Sequence, residues 1–353
     1  MESRENPKFG RKIFFLYPSF LMENFLIDHL KKNEYEVFIL TDFRKAKSVL
    51  TQNKDSMLFV NIDAEMPYSN WYNFMKSFAN VSELQSIYLG VISEHAGWEE
   101  KDKFLMNIRL PGGFNIIDKK TEDKLTEFTK ILDLNGAKGC RKYIRLDTRN
   151  EDDVSGYIAT EDKLFTLNIN DISSAGFAIT YKQFITNLFQ KNTLIRNLCL
   201  TAGRKSMVCS CIVFNTQLNS DGTATSVLML TNENTESTRT YIRNYIFEKN
   251  SERLKIQLYT AESDSASYTD AEEYKSLKAV SNRNYDDLSP DEKASLEPVD
   301  GAATEEGAAQ TDQTDAAASD DAAAAPESSE SPTPADTPEA SDTPAESDTQ
   351  ATS

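Results

Sequence analysis

Two arginines four residues apart, Arg141 and Arg145 in CRKYIRLDTRN, carry much of the chemistry this chain offers. The rest sits about twenty-five residues on, where INDISSAGFAI sets Asp171, Ser173 and Gly176 at short fixed spacing. A guanidinium is planar, permanently charged and forked, so it pairs bidentately with phosphate oxygens and stacks on flat rings. A carboxylate accepts hydrogen bonds, and a hydroxyl donates or accepts them. A glycine admits a close approach where a Cβ would clash. A hairpin needs only two connecting residues, so this corner holds more polar groups than a turn requires. Taken separately, each half has a plainer reading. Asp171 would be an Asx-turn residue with Gly176 shaping the hairpin, and the arginines a solvated linker face.

The elements that must hold these residues follow from hydrophobic patterning. Residues 1–10 read as a flexible N-terminus. Over 11–135, the apolar runs KIFFLY, EVFILT, MLFVNID, SIYLGVI and FNIID alternate with amphipathic helical stretches. That alternation predicts a parallel sheet covered on both faces, a flavodoxin-like doubly wound α/β domain. Residues 136–150 read as a linker containing the arginine pair. Over 139–260 the pattern changes to short alternating strands, VSGYIAT, KLFTLNI, GFAITY, TLIRNLCLT, MVCSCIVF and TSVLMLT. Turn residues punctuate them, which predicts a six-stranded antiparallel β-barrel. A helix at about 237–250, with Tyr241, Ile242, Tyr245 and Ile246 as its apolar stripe, is expected to pack on the barrel.

Residues 261–353 read as an acidic, low-complexity, disordered tail, with a marginal helix over 261–295 around Tyr274, Leu277, Val280 and Tyr285. Beyond Val299 there is no aromatic or large aliphatic side chain, too little to offset backbone ordering. Of the net charge of −18, fifteen negative charges fall in 294–353, leaving −3 for the remainder. The acidity therefore belongs to the tail, and no basic run suggests duplex nucleic acid. The four cysteines have no disulfide or zinc spacing, and Cys209 and Cys211 alternate on one face of a strand as core residues do. No metal site is expected. RKIFFLYPSFL reads as a buried opening strand rather than a leader, and no stretch is long and apolar enough to span a membrane. A cytoplasmic protein is the expectation.

Together, Arg141-x-x-x-Arg145 and Asp171-x-Ser173-x-x-Gly176 resemble the paired signature of the PilZ domain. Order and setting agree: arginines before the first barrel strand, the second motif at the turn after the second strand, and a closing helix. The resemblance covers roughly 139–258. It implies a bacterial receptor for cyclic di-GMP, with Arg141, Arg145, Asp171, Ser173 and Gly176 as ligand-binding residues. It also implies that Cys140, just before the pair, bears on how many ligand molecules are bound. The ligand's chemistry suits these groups. It has two phosphates and two guanines; arginine grips guanine O6 and N7, and an aspartate accepts from the N1/N2 edge.

MLFVNIDAEMP is similar to the third strand and following loop of a response-regulator receiver. Asp63 stands where the phosphoacceptor would, Ser93 at the switch hydroxyl and Lys119 near the receiver lysine. The acidic pair that would hold Mg²⁺ is replaced by Tyr17-Pro18-Ser19. Without that cation, a phosphoryl group would meet uncompensated charge at Asp63. A degenerate receiver serving as a docking or dimerising surface is the expectation. No nucleophile–base pair, phosphate-binding glycine loop or cofactor motif suggests an enzyme. The function expected is a second-messenger receptor that relays ligand level to an unknown protein partner, of the motility or secretion kind, through domain rearrangement. The alternatives are a nucleotide-independent PilZ-like scaffold and a response regulator phosphorylated at Asp63.

Overall fold

The computed structural model describes residues 10–117, 121–160 and 163–277. Strands β1 (Ile13–Leu16), β2 (Val37–Leu40), β3 (Met57–Asn61), β4 (Tyr88–Ser93) and β5 (Phe114–Ile116) form a parallel sheet in the order β2-β1-β3-β4-β5. This order is consistent with the flavodoxin-like arrangement expected from the sequence. β1 and β2 are wholly apolar and β3 and β4 nearly so, because both faces are covered, while β5 carries Asn115. Phe14, Leu16, Leu58 and Val60 pack beneath α2 (Phe43–Gln52), α3 (Tyr68–Lys76) and α4 (Trp98–Asn107). Ile13, Phe15, Met57 and Phe59 turn the other way, beneath α1 (Asp28–Lys32) and α5 (Glu122–Leu134).

After a linker, β6 (Leu146–Asp147) leads into a barrel of six strands. These are β7 (Val154–Ala159), β8 (Leu164–Ser173), β9 (Gly176–Lys182), β10 (Leu194–Ala202), β11 (Lys205–Leu218) and β12 (Thr223–Leu230). They are antiparallel in the order β8-β7-β10-β11-β12-β9, and pairing of β8 with β9 closes the ring. Closure leaves no open edge for another chain to pair with. Alternation sets the core: on β11, Met207, Cys209, Cys211 and Val213 are buried while Val208, Ile212 and Phe214 face out. Burial pushes the Cys209 thiol up to about 11, so it is an inert core group.

The closing helix differs from the sequence reading. Periodicity ends it near 250, but α6 runs over Glu236–Thr260. Its first half packs on the barrel through Ile242, Tyr245 and Ile246, with Tyr241 beside them. Its second half joins a different core, Leu254 and Leu258 packing with the cluster under α2, α3 and α4. The stretch between is polar because it makes ion pairs: Lys249 bridges Glu151 at 3.2 Å and Asp153 at 3.1 Å, and Arg253 reaches Glu151 at 2.7 Å. Sequence periodicity fades there although the helix does not.

The tail boundary at 261 also moves. Ala261, Tyr268 and Tyr274 are buried against the N-terminal sheet's helices, and α7 (Glu272–Ser276) forms there. Lys47 pairs with Asp264 at 2.9 Å, and Lys76 pairs with Glu273. Two tyrosines among small polar residues give little local signal; their partners lie about 200 residues away in the chain. Residues 278–353, the rest of the expected tail, lie outside the described residues, as do the N-terminal nine and Lys119.

Candidate ligand-binding site

Ser173 pairs with Gly176 across a two-residue connection, Ser174-Ala175, so the polar corner is the tip of the β8–β9 hairpin. Just before it, the β8–β9 register shifts between Ile169 and Asp171, a bulge that leaves Asn170 extra. Bulges bend a strand and re-aim the side chains after them. Asp171 emerges from this one half-buried, opposite Asp147 of β6. Ser173 is buried, and its Oγ donates to the Gly176 carbonyl at 2.9 Å, which braces the corner from within.

Gly176 answers to the barrel before it answers to any ligand. A Cβ built there would lie 2.0 Å from the Leu228 carbonyl oxygen, because β9 meets β12 at this point. That obstacle is backbone and cannot swing aside. Gly176→Ala is therefore expected to destabilise the barrel by about 1–3 kcal/mol, the range for overpacking a tight contact. A urea midpoint unchanged from wild type would refute this account of the glycine.

Arg141 and Arg145 lie on the irregular segment between α5 and β6. Arg145 Nη1 stands 3.9 Å from Asp171 Oδ1, with 44% of its side chain exposed. Burial raises the Asp171 carboxyl above the ordinary aspartate range, while the charges of Arg145 and then Arg141 pull it down. All five residues singled out from the sequence line one cavity of about 540 Å³. Volumes of this order suit small-molecule ligands. Arg149 is differently engaged: its guanidinium holds Asp147, whose carboxyl it lowers to about 2.

The sequence singled out little of the remaining wall. Val227, Met229 and Phe214 are among the other residues lining the cavity, as is Cys140, Phe214 being 59% exposed. A second register shift, between Val213 and Asn215, leaves Phe214 as the bulged residue of β11. The cavity thus combines a large apolar side chain with two guanidinium groups, which suits a flat ring bearing anionic substituents. The corner is also held from behind by α6. Arg239 Nη1 donates to the Ser174 carbonyl at 3.0 Å, and its Nη2 to Thr231 at 2.9 Å. Nothing local in the sequence marks Arg239, since a helix-surface arginine usually reads as solvated.

At the C-terminal end of the parallel sheet, Asp63 is fully engaged. Ser93 Oγ donates to its Oδ1 at 2.7 Å and Tyr68 Oη at 2.9 Å, while the Glu94 and His95 amides donate to Oδ2. Where a receiver would carry its acidic pair, Tyr17 offers a carbonyl to Asn61 Nδ2 at 2.8 Å, and Ser19 donates to Glu94. Among the described residues, no group of three or more His, Cys, Asp or Glu side chains is arranged to hold a metal ion. No helix among them is long and apolar enough to cross a membrane.

No protein-family model matches the chain, and no curated protein matches it. Solved structures similar to it over about a third of its length include a PilZ domain and proteins in complex with c-di-GMP. The complex of K. pneumonia MrkH with c-di-GMP matches at 17% identity and a TM-score of 0.30, over 33% of this chain and 55% of that one. The PilZ domain of YcgR from Escherichia coli, with c-di-GMP, matches at 12% identity and 0.28, over 33% of this chain and 97% of that one. The Bacillus subtilis inhibitor of motility MotI/DgrA matches at 15% identity and 0.27, over 32% and 52%. The chain thus spans about half the length of MrkH and MotI. At these scores the functional reading rests on the residues of the chain itself.

Proposed function

We propose that this chain is a non-enzymatic receptor for cyclic di-GMP, built on a PilZ-type barrel and carrying a degenerate receiver at its N-terminus. The observation that carries the reading is the convergence of Arg141, Arg145, Asp171, Ser173 and Gly176 on one cavity. The two motifs are separated by a strand and a hairpin in sequence, and a solvated linker face has no reason to meet a turn across a shared hollow. In this reading the arginines take the phosphates and the O6/N7 edge of a guanine. Asp171 accepts from a guanine N1/N2 edge, Ser173 fixes the corner's shape, and Phe214 with Met229 gives a base an apolar surface.

The same reading assigns the receiver-like domain a docking role. The Asp63 oxygens already accept from two hydroxyls and two amides, so a phosphoryl group would have to displace a formed network. Because the arginine segment joins the two domains, its closure over a ligand would alter how they meet, and an unidentified protein partner in the cytoplasm, of the motility or secretion kind, would read the change. Such a relay needs a ligand that favours one arrangement over the other.

Isothermal titration of the full chain with cyclic di-GMP tests the reading. Saturable heat within tens of micromolar ligand is expected, and none would overturn it. The pH dependence is a second expected outcome. The acceptor role needs ionised Asp171, whose carboxyl burial has raised. Affinity should fall on acidification, and the fall should begin at a higher pH than for an ordinary aspartate. For stability the sign is opposite. A raised carboxyl favours the folded state below its unfolded value, and loses that contribution as pH rises through the folded one. Asp171→Asn should bind weakly and remove this acid limb; an acid limb of unchanged shape in that variant would assign it to another group.

A further inference from the structure

We propose that Glu34, supplied by the N-terminal domain, is a positioning residue of the ligand site, holding the arginine segment and the hairpin corner at the separation a ligand needs. The proposal rests on the receptor reading above and deepens it.

Glu34 follows α1 in a tight turn with φ of 61°, a left-handed conformation that a glutamate adopts only at some cost. Its side chain is 9% exposed, unusual for a glutamate at a helix end. One carboxylate oxygen, Oε1, accepts from Ser174 Oγ at 2.6 Å and from Arg243 Nε at 3.0 Å. The other, Oε2, accepts from the Ile144 amide at 3.3 Å. Ser174 is the tip of the corner, between Ser173 and Gly176. Ile144 lies between Arg141 and Arg145. A single carboxylate therefore touches both halves of the signature, from a domain that contains neither.

The remaining contacts fit a strut. Arg243 of α6 supplies the charge that a buried carboxylate requires, and it is itself only 17% exposed. The same helix, through Arg239, holds the Ser174 carbonyl. The corner is thus fixed by α6, and the irregular arginine segment is tied to that fixed point through Glu34. Without the tie, residues 139–145 would sample many arrangements, and a ligand would have to select the few in which both guanidinium groups face Asp171. Affinity falls by the fraction of time the competent arrangement is populated. Reciprocally, a ligand bound in the cavity must stabilise the Glu34 contacts, which carries its effect into the N-terminal domain.

Full-length wild type, Glu34→Ala, Glu34→Gln and Ser174→Ala are titrated with cyclic di-GMP below their melting temperatures, and amide hydrogen exchange is followed with and without ligand. Glu34→Ala is expected to weaken binding about tenfold, the cost of leaving the competent arrangement populated near one part in ten. Glu34→Gln keeps the length but only one acceptor oxygen, so its NH2 must face either the Ile144 amide or the Ser174 and Arg243 donors; it should hold one half of the signature and fall between wild type and Glu34→Ala. Ser174→Ala should weaken wild type but add nothing in the Glu34→Ala background. Without ligand, Glu34→Ala should speed exchange at 140–146; with ligand, wild type but not Glu34→Ala should gain protection at 33–36. Unchanged affinity in Glu34→Ala, with wild type binding, would overturn this inference and leave the receptor intact. Unchanged exchange at 140–146 would overturn it even without ligand. Absence of wild-type binding would remove the receptor reading and this inference with it.

Discussion

Replacing Arg141 and Arg145 together by alanine should abolish the heat of cyclic di-GMP binding at tens of micromolar ligand, with the melting temperature unchanged. Each hydrogen bond from a guanidinium to a charged partner is worth about 1.5–3 kcal/mol. A single Arg→Ala change should therefore weaken binding tenfold or more. Folding should not respond in step. Arg145 is 44% exposed, and its ion pair with Asp171 is long, at 3.9 Å. Exposed pairs of that kind contribute little to stability. Affinity that falls while the fold stays intact separates a ligand contact from a structural one. Lysine should substitute poorly, because a point charge lacks the planar fork. Losing Arg145 should also raise the Asp171 carboxyl further, since its charge is the largest influence opposing burial there. The acid limb of binding in Arg145→Ala should then move to higher pH. Both arginine variants binding like wild type would end the assignment.

Much of this arrangement was legible in the sequence, for a physical reason. The first four runs of the parallel sheet are buried on both faces, so they are almost wholly apolar, and KIFFLY and MLFVNID cannot be mistaken for loops. The barrel strands are buried on one face, so MVCSCIVF alternates and reveals both its strand and the inward side of Cys209 and Cys211. The corner was legible because Asp171, Ser173 and Gly176 lie within six residues. What escaped depends on distant contacts. Glu34 stands in KKNEYE, where composition gives only a polar helix end; its burial comes from Ser174, Ile144 and Arg243, more than a hundred residues away. Phe214 is one of several outward residues of β11, and nothing local in MVCSCIVF marks it out; only the folded barrel sets it beside the cavity. Gly176 was read for the space it would give a ligand, whereas the nearest obstruction to a side chain is the Leu228 carbonyl across the barrel.

The other large effect concerns the segment after α6. A chain stopped after residue 260 should melt well below one stopped after 277. The segment 261–277 buries Tyr268 and Tyr274 in an aromatic cluster. Tyr268 sits edge-on to Phe74 at 5.4 Å between ring centroids, and Tyr274 lies 5.5 Å from Tyr72 and 6.2 Å from Phe104. Burying a large aromatic side chain stabilises by about 1.5–3 kcal/mol, and aromatic pairing adds about 0.5–1.5 kcal/mol. Removing both rings should thus cost roughly 4–9 kcal/mol, a large share of the ~5–15 kcal/mol that holds a domain together. At about 4 °C per kcal/mol for a domain of this size, the N-terminal transition should fall by roughly 15–35 °C. The shorter chain would also expose Phe43, Phe74 and Phe78, so it should bind a hydrophobic dye and tend to precipitate. Tyr268→Ala with Tyr274→Ala in the full chain should reproduce most of the loss. Chains ending at 260 and 277 with the same melting temperature would mean that the packing of 261–277 contributes no stability.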